Sequence, residues 1–127
     1  QQQLIIKEFV NRKKIKTDII SLPIVREKSG LAMSSRNNYL SDEDKKFCGN
    51  IYTCLKNLAA SLKITALGVL KKEAIDFLQH AGFEVDYLEI VDANNLSPVT
   101  KKTNKVLIAA AVIYKKVRLI DNIVVSL

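Results

Sequence analysis

An uninterrupted apolar run from Val106 to Ile113 constrains the fold of this chain more than any other feature. Eight consecutive residues of this kind need shelter on every side, and a run this short suits the central strand of a sheet covered on its faces. Periodicity alone also describes a buried helix segment. The sequence that follows favours the strand. After Tyr114 only Lys115-Lys116 intervenes before a second strand-like stretch, Val117 to Val125, so the two read as a hairpin with a very short connection. Phe83 to Val91 supplies a third strand.

Two helical stripes lie upstream of these strands. Ser41, with Asp44 three residues on and Asp42-Glu43 between, is a capping-box-like start whose acids suit the helix dipole. From there Phe47, Ile51, Leu55, Leu58, Ala59 and Leu62 form one apolar face reaching to about Lys63. A second helix follows Thr65, with Leu70, Ala74, Phe77, Leu78 and Ala81 inward and Gly82 as its stop. Residues 41–127 are therefore expected to be α+β, a small antiparallel three-stranded sheet with two packed helices. At 127 residues and 48% hydrophobic content the chain can bury one sizeable core, in one domain or two small lobes.

The first 40 residues read differently. Leu4, Ile5, Phe9 and Ile15 fall at helical spacing, and Thr17 to Leu22 reads as a short buried strand stopped by Pro23. A helix followed by an apolar strand suggests the tail of an α/β unit, with the boundary near Leu40. The chain opens on Gln1-Gln2-Gln3 with a helical pattern already running and no methionine, which reads as the start of a fragment.

Other function classes are disfavoured. No apolar run reaches the roughly 18 to 20 residues that span a bilayer, and there is no signal-peptide pattern, so the expectation is a soluble, cytoplasmic protein. Cys48 and Cys54 lie six apart on one helix, pointing about 120° from each other, and are expected to be buried reduced thiols. One histidine, His80, and no paired Cys or His spacing leave no basis for a structural zinc or other metal site. The net charge of +7, from 20 Lys and Arg against 13 Asp and Glu, favours anionic partners, nucleotide phosphate or nucleic acid.

The polar stretch from Glu27 to Asn38 has the composition of an irregular loop. Within it Ser34 and Ser35 offer hydroxyl donors, Arg36 a fixed planar fork of donors, and Gly30 close backbone approach to a ligand, a combination that suits phosphate. The same residue types also fit a solvated loop making turns.

The run Gly-Leu-Ala-Met-Ser-Ser-Arg-Asn at Gly30 to Asn37, followed by Tyr39-Leu40, resembles the signature loop of the pantoate–β-alanine ligase family. That loop is the family's version of the K-M-S-K-S loop of class I aminoacyl-tRNA synthetases. The preceding Pro-Ile-Val-Arg-Glu, the opening Gln-Gln pair, the segment from Val85 to Ala93, and Arg118-Leu-Ile-Asp-Asn122 fall in the family's order at similar intervals. The resemblance thus covers nearly the whole chain. It implies that residues 1–40 are a helix-strand remnant of a Rossmann-like α/β nucleotidyl transferase domain, and that residues 41–127 are a C-terminal lid domain.

The implied chemistry is an ATP-dependent condensation of pantoate with β-alanine through a pantoyl adenylate, with magnesium accompanying the ATP. By the same resemblance Ser34, Ser35 and Arg36 hold the phosphates, Val25 and Met33 flank the adenine, and Gln2 binds pantoate. The family's H-x-G-H motif and the Lys-Asp pair that precedes its Gln-Gln are missing from this sequence, so the chain alone is expected to be inactive and to need an N-terminal domain. The resemblance also implies a homodimer of the full-length protein.

Ser29 stands where the family usually has Asp. His80 reads as a helix-end cation rather than a catalytic base, and Asp121 and Asn122 as a structural feature at a strand end. A basic RNA-binding or purely structural module is the competing reading. Aromatic residues make up only 6% of the chain and no stacking motif is recognisable, which weighs against the RNA module.

Overall fold

A computed structural model describes residues 2–62 and 66–127. Gln1, the expected helix end at Lys63 and the helix start after Thr65 lie outside the described residues. The elements are α1 (Gln2–Arg12), a 3-10 helix (Ser35–Tyr39), α2 (Asp42–Cys48), α3 (Asn50–Ser61), α4 (Leu67–His80), β1 (Glu84–Asp92), β2 (Lys105–Tyr114) and β3 (Val117–Ser126). The sheet is antiparallel in the order β1-β2-β3, so the apolar run is its central strand.

The pleat divides β2 between two faces. Val106, Ile108, Ala110 and Val112 join the core under the helices, together with Leu88 of β1 and Leu119 of β3. The helices close that face with Ile51, Cys54, Leu55 and Leu58 of α3 and with Leu70, Ala74 and Leu78 of α4. Phe77, expected inward, is exposed. At one end Phe47, Phe83 and Tyr114 form an aromatic trio with ring centroids 5.1 to 5.4 Å apart, tying α2 to the end of the sheet where β1 begins and β2 finishes. Cys48 and Cys54 are free and buried, and burial pushes each thiol up to about 11.

The expected single helix from Ser41 is two helices, broken at Gly49. The cause is a close approach. A Cβ at Gly49 would sit 2.2 Å from the Ser29 carbonyl oxygen, so the loop before α2 packs directly on the bare backbone of this glycine. Ser29 secures the contact by donating from Oγ to the Lys45 carbonyl at 3.1 Å. A carboxylate at this position could not donate that bond. The start of α2 is as expected, with Ser41 Oγ accepting from the Asp44 amide at 3.1 Å.

The segment Thr17 to Leu22 joins no ladder among the described residues, contrary to the strand expected there. A strand needs a neighbour for its backbone groups. Here the segment lies beside α1 instead, where Gln3 and Lys7 both donate to Ser21 Oγ. α1 itself has no buried residue and leaves Ile5, Ile6 and Phe9 exposed.

Candidate functional site

The stretch expected to be an irregular loop is built from two small ordered units. The first is a tight antiparallel turn: Met33 N donates to Val25 O at 2.9 Å, Glu27 N to Leu31 O at 2.8 Å, and Arg26 bridges Ala32. Gly30 sits in this turn at φ 91°, a left-handed conformation with Tyr52 3.0 Å from where a Cβ would be. The second unit is the 3-10 helix, capped by Ser34, whose Oγ accepts from Arg36 N at 3.2 Å.

This backbone decides which side chains reach solvent. Leu31, Asn37 and Leu40 turn inward to the core, whereas Val25 is 68% and Met33 60% exposed. Because the turn pairs them across its two arms, Val25 and Met33 are neighbours and make a small apolar platform. Ser34, Ser35 and Arg36 follow directly and are all exposed. Five of the six expected site residues are thus brought together, with an apolar surface leading into hydroxyls and a guanidinium. Gln2 is not: it is exposed on α1, and no hydrogen bond connects it to this loop.

Residues with no local sequence signal for the role hold the loop in place. Asn37 is 3% exposed and donates from Nδ2 to Glu27 Oε1 and to the Ala32 carbonyl, both at 3.1 Å, fastening the 3-10 helix to the turn. Its Oδ1 has no protein partner. Arg26 reaches out of the turn to Asp121, donating from Nη1 to Oδ2 at 2.6 Å and from Nη2 to Oδ1 at 2.9 Å. The same Nη1 also donates to the Gly30 carbonyl at 2.9 Å, and the guanidinium lies 3.7 Å from the Tyr52 ring centroid.

Asp121 is therefore not a strand-end residue. It lies inside β3, opposite Ala110, on the helix-facing side of the sheet. A charged residue alternating in phase with Val117 and Leu119 was the available sequence signal, since such a carboxylate needs a buried partner. His80 is exposed and its Nδ1 donates to the Asp76 carbonyl one turn back at 2.7 Å, a helix-end contact as expected.

The loop faces the β2–β3 hairpin across an open groove of about 550 Å³, lined by Arg36, Tyr39, Lys115, Lys116, Val117 and Arg118. Arg36 Nη1 donates to the Arg118 carbonyl at 3.3 Å. At the hairpin, Lys115 bonds both oxygens of Asp44, at 2.8 and 2.9 Å. The ammonium holds the Asp44 carboxyl below its ordinary 3.8, and the carboxylate in turn raises Lys115 above 10.5. Among the described residues no group of three or more His, Cys, Asp or Glu could hold a metal ion. No helix of the described residues is long and apolar enough to cross a membrane.

The sequence model of a family described as pantoate-beta-alanine ligase matches residues 1–124. A pantothenate synthetase of Vesicomyosocius okutanii is 46% identical over 126 residues, which is 98% of this chain and 44% of that protein. A pantoate–beta-alanine ligase of Schizosaccharomyces pombe is 44% identical over 97% of this chain and 44% of its own length. The crystal structure of a pantothenate synthetase from Thermus thermophilus superposes with a TM-score of 0.85 at 29% identity, covering 96% of this chain and 45% of that one. The chain spans less than half the length of the relatives it matches.

Proposed function

This chain belongs to the pantoate–β-alanine ligase family, and from that premise we propose that it is the C-terminal part of an ATP-dependent, AMP-forming ligase of pantothenate biosynthesis. In the proposed reaction the pantoate carboxylate attacks the α-phosphorus of ATP, and the bond to pyrophosphate breaks. The amine of β-alanine then attacks the acyl carbon of the pantoyl adenylate, AMP leaves, and pantothenate is formed. Charge grows on phosphoryl oxygens in the first step, so the demand on the protein is positioning and neutralisation rather than a nucleophile.

The observation that carries this reading is the arrangement of the 25–36 turn. It exposes an apolar pair, Val25 and Met33, next to Ser34, Ser35 and Arg36. That order suits a base followed by phosphates. Ser34 Oγ is held as an acceptor by Arg36 N, which leaves its hydroxyl proton for a phosphate oxygen. Gln2 is proposed to meet pantoate on the other side of the site.

Residues 1–40 are read as the end of a nucleotide-binding domain and residues 41–127 as its lid. The exposed apolar residues of α1 and of the 17–25 segment fit a surface that the rest of such a domain covers. The protein is read as cytoplasmic and, when full length, as a homodimer. Magnesium is expected to arrive with ATP. The loop's one carboxylate, Glu27, accepts from Asn37 Nδ2, and the exposed residues beside it offer hydroxyls and a guanidinium, so the loop by itself does not supply the several oxygen ligands magnesium takes.

The test is product identity. The chain, completed to the relatives' length with the N-terminal part of one of them, is supplied with ATP, pantoate and β-alanine. AMP, pyrophosphate and pantothenate are the expected products, and the 127-residue chain alone should give none. ADP and orthophosphate would replace the adenylate by an acyl phosphate.

A further inference from the structure

We infer that the tip of the β2–β3 hairpin is the second wall of the phosphate site, with Lys116 and Arg118 binding the polyphosphate chain of a nucleotide across the groove from Arg36. The identity of the anion rests on the ligase reading; the site itself rests on the observations that follow.

Four of the six groove-lining residues are cations. Their carboxylate partners are Asp44, which takes Lys115, and Asp86, which takes Arg118 through Nε at 2.9 Å and Nη2 at 2.7 Å. Arg118 keeps Nη1 free of that pair. The Lys116 side chain has no hydrogen bond or ion pair among the described residues, and there the Arg36 guanidinium has only its one bond to the Arg118 carbonyl. The groove therefore holds two cations not matched by a carboxylate, one on each wall. The bond from Arg36 to the Arg118 carbonyl, at 3.3 Å, links the two walls.

The backbone of the turn is the independent observation. Tyr114 pairs with Val117, leaving Lys115 and Lys116 as the two turn residues, and both have positive φ, 47° and 66°. Glycine and asparagine take these positions most easily, because a side chain at positive φ crowds the backbone. Two lysines held there run against that preference. Lys115 is accounted for by its bond to Asp44 at the start of α2. Lys116 has no such structural partner, and strain retained for a side chain without one is a mark of function.

A second phosphate reaches the lid only if the anion is long, so tripolyphosphate should bind better than orthophosphate, and adenosine should not compete. The experiment titrates tripolyphosphate, orthophosphate and adenosine separately into the 127-residue chain, following backbone amide shifts and affinity. Shifts should appear together at Ser34–Asn37 and at Tyr114–Arg118. Lys116→Gly relieves the strain at φ 66° while removing the charge. It should raise or preserve the melting temperature and weaken tripolyphosphate about tenfold, the effect of one charge-assisted hydrogen bond. Lys116→Arg should keep the affinity.

Unchanged affinity in Lys116→Gly, shifts confined to Arg12-Lys13-Lys14, or equal binding of orthophosphate and tripolyphosphate would each overturn the inference. The ligase reading fails on a different readout, the release of pyrophosphate from ATP and pantoate by the completed chain. Turnover with an inert Lys116 removes the clamp alone. A working clamp without that turnover removes the ligase reading alone.

Discussion

Arg26 and Asp121, 95 residues apart, form a bidentate ion pair in which the carboxylate side chain is only 4% exposed and the guanidinium 18%. The pair fastens the turn that presents Val25 and Met33 to the middle of β3. Through it, the 25–36 turn is anchored to the sheet.

Removing one member leaves the other charge desolvated, which is why half of a buried pair is worse than none. Asp121→Ala is expected to destabilise the chain by about 3 kcal/mol, read from the urea midpoint at constant slope. Arg26→Ala should cost a comparable amount, and the double variant far less than the sum. Additive losses would show that the two residues act separately.

Arg36 is a different kind of arginine, exposed, with its guanidinium making a single bond among the described residues. On the proposed ligase reading, Arg36→Ala in the completed chain should slow single-turnover pyrophosphate release about a hundredfold, the loss of one preorganised donor to developing charge. Its effect on stability should be only about 0.5 kcal/mol. Arg36→Lys should recover part of the rate, since an ammonium restores charge without the planar fork. A normal burst with Arg36→Ala, or a matching collapse in melting temperature, would make this arginine structural.

Gly49 and Gly68 give a matched pair. Ala is favoured over Gly inside a helix by about 1 kcal/mol, and a Cβ at Gly68 meets nothing within 4 Å among the described residues, so Gly68→Ala should raise the melting temperature. At Gly49 the added Cβ meets the Ser29 carbonyl at 2.2 Å, and backbone cannot yield as a side-chain tip does. Gly49→Ala should therefore destabilise by about 1 to 3 kcal/mol. Equal gains from both would mean that the loop is not seated on α3.

The Asp44–Lys115 pair makes a pH-dependent contribution whose sign is fixed by both shifts. Asp44 is held below 3.8, so its contribution is present above that value and lost as pH falls through the depressed pKa. Lys115 is held above 10.5, so its contribution is complete below that value and lost as pH rises through the raised one. Urea midpoints from neutral pH into the acid range should fall more steeply for the parent than for Asp44→Asn. Parallel curves would show that the pair contributes nothing.

Hydrogen exchange should divide the chain. α1 buries no residue and the 17–22 segment joins no ladder among the described residues, so amides before about residue 23 should exchange quickly, while Val106–Ile113 should be the slowest. Uniform protection in a demonstrated monomer would contradict this.

The hairpin from β2 to β3 shows how much of the fold was legible locally. The apolar run needed cover on both faces, the alternating run needed it on one, and two residues between them left no other connection. The start of α2 was legible for the same reason, because Ser41 and the acids after it act within one turn. The resemblance located Ser34, Ser35, Arg36, Val25 and Met33, and the turn does bring these five together.

What local pattern could not supply was partnership across the chain. The break at Gly49 depends on a carbonyl 20 residues earlier, which no helical period registers. Thr17–Leu22 has the composition of a strand but no strand partner among the described residues, and a ladder exists only between two segments. Asp121 has the local sequence of a polar strand end, and only the fold sets Arg26 beside it. Sequence by itself determined which segments bury which side chains, since periodicity acts over a few residues. Tertiary structure alone decided which distant charges meet, because a buried carboxylate is tolerable only where packing delivers its counter-charge.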